Sequence, residues 1–406
     1  MPEAVIVSVA RTPIGRAQKG SLKNERPDDL TAFIVDTALN KIPALDRNTV
    51  EDLILGCGQP AGEAGYNLAR IVAIQAGMPT VPGVTVNRYC SSSLMSVRMA
   101  AQAIKAGEGD VFIAAGVETV SRFVYGFADS GPQNPKHAAA VARTGELSGG
   151  GQGAWTPFEG GLPDVYIAMG QTAENVATYK GVTRQEQDEF AALSQQRATA
   201  SLESGFWENE ITPVTTTDDE GNEVVVTKDD GIRAGTTVEG LSGLKPVFRP
   251  DGTVTAGNAC PLNDGAAAVV VMSDTRAKAL GLTPLARVVS SGVSGLDPEI
   301  MGLGPIEASR QALARAGMTI DDVDLVEINE AFAAQVIPSA RELGIEWDKL
   351  NVNGGAIAIG HPFGMTGARI INTLINGLQK DDKTIGLETM CVGGGQGMAM
   401  IIERLS

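Results

Sequence analysis

Cysteine, histidine and aromatic residues are all scarce in this 406-residue chain, and each scarcity narrows what it can be. The four cysteines, Cys57, Cys90, Cys260 and Cys391, lie far apart and form no CxxC pair. That spacing argues against a disulfide scaffold or a structural zinc site and leaves reduced thiols as the expectation. Aromatic residues amount to only 4%, whereas glycine is abundant and apolar residues reach 43%. This composition fits a soluble α/β protein whose helices and sheets approach closely through Gly and Ala. Basic charge is also in deficit, with a net charge of −16, which argues against general binding to nucleic acid or to an anionic membrane. A local basic pocket for a phosphorylated ligand stays compatible with it. Long apolar runs are missing too. The opening "MPEAVIVSVARTPIG" enters an apolar strand directly, without a basic-then-apolar leader, and no run reaches membrane-spanning length. The expected location is the cytoplasm.

What is present is an alternation of strand-like and helix-like segments, which predicts a layered α/β fold. The two ends of the chain share a pattern. "ALNKIPALDRNTVEDLILGCGQPAG" (38–62) resembles "ALARAGMTIDDVDLVEINEAFAA" (312–334), and "TVNRYCSSSLMSVRMAAQAIKAGEGDVFIAAGVE" (85–118) resembles "NVNGGAIAIGHPFGMTGARIINTLINGLQKDDKTIGLETMCVGG" (351–394). The openings "AVIVSVARTP" and "ARVVSSGVS" also match. A duplication predicts two similar α/β halves, 1–122 with 255–275 and then 276–406, with Cys90 and His361 at equivalent strand–helix turns meeting at one site. Residues 123–254 have no counterpart. They hold a Gly-rich stretch, an amphipathic helix and an acidic loop, "TTTDDEGNEVVVTKDD", and are expected to form an inserted lid or binding subdomain.

The chemistry concentrates at turns. In "VTVNRYCSSSLMSVR" a short β-branched run ends just before Cys90, and a helix follows. Unpaired N–H groups at a helix start favour thiolate over thiol, which is where a nucleophile belongs. Of the two histidines, His137 lies in a polar stretch and is expected to be a solvent-exposed bystander. His361 sits between glycines in "GGAIAIGHPFGMTG", at the turn that matches that of Cys90. A satisfied core histidine is the alternative. Cys391 ends an apolar strand and is followed by glycines, including Gly393, whose N–H groups can face a developing anion. A tight turn with a packed cysteine is the plainer explanation. Asn329, in "EINEAFAAQ", can orient a water or simply cap a helix. Cys57 and Cys260 read as packing thiols. Two thiols and one imidazole at strand ends suit nucleophilic acyl transfer, with one thiol holding an acyl group and the other moving a proton. The same three residues could instead ligate a metal, but no fourth ligand stands at a suggestive spacing.

The whole chain, from "VARTPIG" to "CVGGGQGMAMIIER", resembles the thiolase family of acetyl-CoA acetyltransferases and 3-ketoacyl-CoA thiolases. The resemblance rests on four ordered motifs: "NRYCSSSLMSV", "NEAFA", "NVNGGAIAIGHPFGMTGAR" and "CVGGGQGMA". It is reinforced by "MGQTAENVA", "TAGNACPLNDGAAA" and "EIMGLGPIEASRQAL". The resemblance implies a thiolase-like fold, two duplicated α/β halves in a five-layer arrangement with an inserted CoA-binding loop domain. It implies Cys90 as the acylated nucleophile activated by His361, and Cys391 as the general acid/base. One oxyanion hole would combine His361 with a water on Asn329, the other the N–H groups of Cys90 and Gly393. The implied reaction is ping-pong thiolysis of a 3-ketoacyl-CoA by CoA, or its reverse. No metal or redox cofactor is implied, CoA and acyl-CoA being substrates, and the expected assembly is a homodimer or homotetramer.

Departures from the family pattern fall near the substrate. Ala168 stands where some members have His, and Cys260-Pro261 replaces the usual Ser-Gly, so the CoA contacts expected of Ala256 and Cys260 are altered. Ser92 and "GVETVSRF" (116–123) also depart from the common sequence, and Met301 matches a methionine lining the acyl pocket of acetoacetyl-CoA enzymes, a lean towards short chains. Two alternatives stay open: a related condensing enzyme, or a thiolase-like lipid or CoA carrier without catalysis.

Overall fold

A computed structural model describes residues 2–123, 131–151 and 153–406. The first stretch carries β1 (Ala4–Arg11), the two-residue β2 (Gly15–Arg16), α1 (Pro27–Asn40), β3 (Asp52–Cys57), α2 (Leu68–Gln75), β4 (Gly83–Val86), α3 (Ser92–Ala106) and β5 (Val111–Thr119). Then come α4 (Ala138–Leu147), α5 (Met169–Lys180), α6 (Arg184–Glu203), β6 (Val214–Thr217), β7 (Glu223–Val226) and α7 (Val238–Ser242). The chain continues through β8 (Asn263–Ser273), α8 (Asp274–Ala279), β9 (Ala286–Gly295), α9 (Gly304–Ala316), β10 (Leu325–Ile328), α10 (Ala333–Leu343), α11 (Ala356–Ile359), α12 (Thr366–Lys380), β11 (Ile385–Val392) and β12 (Gln396–Arg404).

The duplication is visible in the strand order β10-β11-β12-β9-β1-β8-β5-β3-β4, with β2 paired to β8. The two halves meet where β1 and β9 pair at Val5–Arg287 and Ile6–Ala286. From that joint outward, β1, β8, β5, β3 and β4 are linked antiparallel, antiparallel, parallel, parallel. The other half repeats this through β9, β12, β11 and β10, and ends in a parallel bridge between Val326 and Leu350. Cys90 therefore follows the outermost strand of one half and His361 the matching bridge of the other.

Alternation along the strands sorts side chains into three large cores and five layers, with a smaller cluster at Cys391. Leu53 and Leu55 of β3 pack outward on Leu30, Ile34 and Val35 of α1 and Leu68 and Val72 of α2. Ile54 points the other way, into a central core with Leu94 and Val97 of α3, Ile370 and Leu374 of α12, and Met390 of β11. A third core holds Leu387 and Ile401 against Ile306 and Leu313 of α9 and Val336 and Ile337 of α10. Strands covered on both faces need no polar alternation, which is why β5 (VFIAAGVET) and β8 (NDGAAAVVVMS) read as nearly continuous small-apolar runs. The central helices touch directly: a Cβ on Gly367 would fall 2.4 Å from the Leu94 amide nitrogen, and Ser93 Oγ accepts the Ala368 N–H at 2.9 Å.

The segment expected to be an acidic loop is instead a hairpin, β6 paired with β7. Its arms are β-branched Thr and Val, and only the tip is acidic. There Asp218 accepts the N–H groups of Glu220 and Asn222, and Gly221 takes φ +84°. Arg11 at the end of β1 holds the inserted region by fully buried ion pairs to Glu210 and Asp229, each at 2.8 Å. Among the described residues no helix is long and apolar enough to cross a membrane.

Candidate active site

The turn after β4 places Cys90 in a single 3-10 turn, Tyr89–Ser91, which runs straight into α3. Tyr89 makes the turn in the left-handed region, at φ +43°. The thiol is buried, and its Sγ accepts the N–H of Gly393 as well as its own residue's N–H. These donors do not offset desolvation. Burial pushes the Cys90 thiol up to about 12, with the carboxylate of Glu118 adding to the rise. The expectation of a resting thiolate is thus corrected: at neutral pH the group is a thiol, and a base is needed to activate it.

His361 follows α11, and its placement is fixed through both the backbone and the ring. Its N–H donates to Asn263 Oδ1 at 2.9 Å, and Asn263 in turn donates to the Gly15 carbonyl. Ring Nδ1 lies 2.6 Å from Thr366 Oγ1, whose hydroxyl donates to the Pro362 carbonyl at 2.8 Å. A hydroxyl already donating can only accept from the ring, so Nδ1 carries the hydrogen and Nε2 is left with its lone pair. Asn329 Nδ2 stands 3.3 Å from that Nε2, and Asn329 Oδ1 is buried without a protein partner. The Asn is not a helix cap, since α10 starts four residues later with Phe332 at its N-cap. Burial, helped by the positive Arg369, lowers His361 to about 3, so its ring is neutral.

Cys391 ends β11 with no exposed surface, and burial followed by the nearby Cys90 and Cys260 raises its thiol well above the usual range. Three thiols therefore share one electrostatic neighbourhood. The turn beyond β11 needs glycine at 394 and 395, where φ is +75° and +82°. This turn is what carries the Gly393 N–H to Cys90. Cys260 is half-buried and donates its N–H to the Ala331 carbonyl, while Ala256 lies exposed in the preceding turn. Met301 packs in the small buried cluster that holds Cys391. Cys57 is buried at the end of β3, with Sγ 3.7 Å from Glu118. His137, expected in solvent, is half-buried, its Nδ1 2.7 Å from the Pro163 carbonyl and its ring edge-on to Tyr166. Among the described residues no group of three or more His, Cys, Asp or Glu side chains is arranged to hold a metal ion.

Two carboxylates not singled out from the sequence brace the histidine loop. Glu118 accepts the N–H groups of Gly58, Gln59 and Gly364 at 2.8, 3.1 and 2.9 Å, and burial raises it to about 7. Glu330 accepts from Ser194 Oγ, Asn351 Nδ2 and the Ile357 N–H at 2.6, 2.8 and 3.1 Å. The signal for both was a lone acidic residue closing or following an apolar strand beside a quoted motif, "GVETVSRF" and "NEAFA".

The chain matches two family models in succession, "Thiolase, N-terminal domain" over residues 4–275 and "Thiolase, C-terminal domain" over 282–404. It belongs to the thiolase family. Among the thiolases it is 45% identical to the 3-ketoacyl-CoA thiolase of Bacillus subtilis (strain 168), over 99% of this chain and 100% of that one. It is equally 45% identical to the acetyl-CoA acetyltransferase of Pseudomonas aeruginosa, over the full length of both. Two solved thiolase structures superpose with a TM-score of 0.85, each covering 100% of this chain and 99% of the other. They are the Bacillus anthracis acetyl-CoA acetyltransferase, at 39% identity, and human mitochondrial 3-ketoacyl-CoA thiolase, at 36%.

Proposed function

We propose that this thiolase cleaves 3-ketoacyl-CoA with CoA through an acyl group carried on Cys90, and that Cys391 and His361 move the protons. The observations that carry the reading are the shared electrostatic neighbourhood of the buried thiols Cys90 and Cys391 and a buried imidazole, His361, whose hydrogen is fixed on Nδ1. A thiol near 12 and an imidazole near 3 make a neutral pair, so proton transfer to Nε2 accompanies attack rather than preceding it. Cys90 Sγ adds to the keto carbon while its proton passes to Nε2. The resulting oxyanion is received by the N–H groups of Cys90 and Gly393. Collapse breaks the carbon–carbon bond, leaves the acyl group on Cys90 and releases the enolate of acetyl-CoA, which takes a proton from Cys391. Imidazolium Nε2–H, now a donor, and a water on Asn329 Oδ1 hold the enolate oxygen. CoA then gives its thiol proton to the Cys391 thiolate and attacks the acyl-thioester. Acyl-CoA leaves, and the Cys90 sulfur recovers its proton from His361.

The same steps run backwards join two acetyl-CoA molecules. The CoA thioester supplies the activation, so the reading calls for no metal or redox cofactor, and CoA is a substrate. Cys260 and Ala256 would border CoA, with a thiol giving a weaker hydrogen bond than the hydroxyl it replaces. Retention of Cys90, His361 and Cys391 together argues against a carrier, and a cysteine rather than a second histidine at 391 argues against a related condensing enzyme. The reading places the enzyme in the cytoplasm. Cys391→Ala separates the half-reactions. A residual exchange of an acyl group between acyl-CoA and CoA should persist, because a CoA thiol can lose its proton to water, while carbon–carbon cleavage should fall further, by about 10²- to 10⁴-fold. Equal loss of both would contradict the division of labour.

A further inference from the structure

We infer that Tyr89 shapes a chamber for a medium-length apolar acyl chain, so that the group handed to Cys90 is longer than acetyl. The inference rests on the thiolase reading. A cavity of about 450 Å³ opens directly on Cys90, with Gly393 and Gly394 beside it. Its walls include Tyr89, Val165, Tyr166, Ile167, Met169 and Phe363, and no charged side chain among the described residues lines it. A water occupies about 30 Å³ of liquid, so the three heavy atoms of an acetyl group leave most of this space unfilled. The volume, and a lining that mixes these apolar side chains with Gln59 and Gln133, suit a ligand larger than acetyl. The residues expected to meet CoA, Ala256 and Cys260, do not line the cavity, nor does Cys391. The cavity opens on Cys90 itself, the residue that carries the acyl group after transfer.

Tyr89 is set in place by the same turn that presents Cys90. Its left-handed backbone, at φ +43°, is uncommon for a bulky residue and is held by its N–H donating to Asn87 Oδ1 at 2.8 Å and its carbonyl accepting from Ser92 Oγ at 2.6 Å. The ring lies against the glycine turn: a methyl on Gly393 would meet Tyr89 Cδ2 and Cγ at 3.3 and 3.4 Å. An acyl chain leaving Cys90 on this side must run along that ring.

The test compares kcat/KM for thiolysis of 3-ketooctanoyl-CoA, which leaves hexanoyl on Cys90, with that of acetoacetyl-CoA, which leaves acetyl. The expected ratio favours the longer substrate by about tenfold or more, the discrimination that a few apolar contacts can supply. Tyr89→Ala should lower that ratio by about tenfold and Tyr89→Phe should keep it. Met169→Ala, which removes a second apolar side chain beside Gly393, should lower the ratio as well. A wild-type enzyme that prefers acetoacetyl-CoA or treats both alike would overturn the inference, as would an unchanged ratio in both alanine variants. Acyl transfer to Cys90 from neither substrate would instead overturn the thiolase reading, and this inference with it.

Discussion

At the scale of single residues, the site shows how burial reverses what a sequence motif implies. A cysteine before a helix reads as a thiolate, yet Cys90 is desolvated enough to rest as a thiol, and the N–H groups of Gly393 and of Cys90 itself pull the other way without prevailing. His361 pays a similar cost. Its folded pKa of about 3 lies below the ordinary 6.5, so the native state binds fewer protons than the unfolded chain between those values. Its contribution to stability is complete above pH 6.5 and is lost as pH falls towards 3, by up to roughly 5 kcal/mol for a shift of that size. The raised acids Glu118, Glu327 and Glu330 act in the opposite sense, since their stabilising effect is lost as pH rises. Urea unfolding of wild type and His361→Gln at pH 7 and pH 4 isolates the histidine: the wild type should lose more stability on acidification than the variant. Identical losses would mean that the imidazole is not held neutral by the fold.

At the scale of elements, the loop carrying His361 is clamped between the two halves. A Cβ at Gly116 would fall 2.0 Å from the Gly364 carbonyl oxygen, and one at Gly364 would fall 2.2 Å from that of Val117. Backbone packed against backbone cannot yield as a side chain can. Gly364→Ala should therefore cost about 1–3 kcal/mol in denaturant unfolding and should also lower kcat, because the Glu118 bond to the Gly364 N–H must lengthen. A stable variant with unchanged kcat would show that the loop tolerates displacement. The turns at Cys90, His361 and Cys391 were legible in the sequence because each joins a short apolar run to a glycine- or serine-rich corner. The hairpin β6–β7 was not, because its acidic tip masked two β-branched arms. Glu118 and Glu330 were passed over because a carboxylate's role as acceptor for distant N–H groups depends on loops far away in sequence.

At the scale of the molecule, the matched order of strands explains why a repeat too faint to align by identity still gave the right architecture. Equivalent strands and the central helices α3 and α12 impose the same apolar requirements, whereas the lengths and turns between them drifted. The reading of a homodimer or homotetramer is supported by β4, which among the described residues ends the sheet with one edge unpaired and Val84 part-exposed, with Tyr66 and Ile74 exposed flanking and within α2. Light scattering should give a mass of two or four 42.1 kDa chains, and Val84→Pro should shift it towards the monomer. A monomeric wild type would contradict that reading.

The mechanism turns on which of the two thiols receives the acyl group. Mass spectrometry of peptides after brief exposure to acetoacetyl-CoA should find the added acetyl on Cys90 and none on Cys391. An acetyl on Cys391, or on neither, would contradict it.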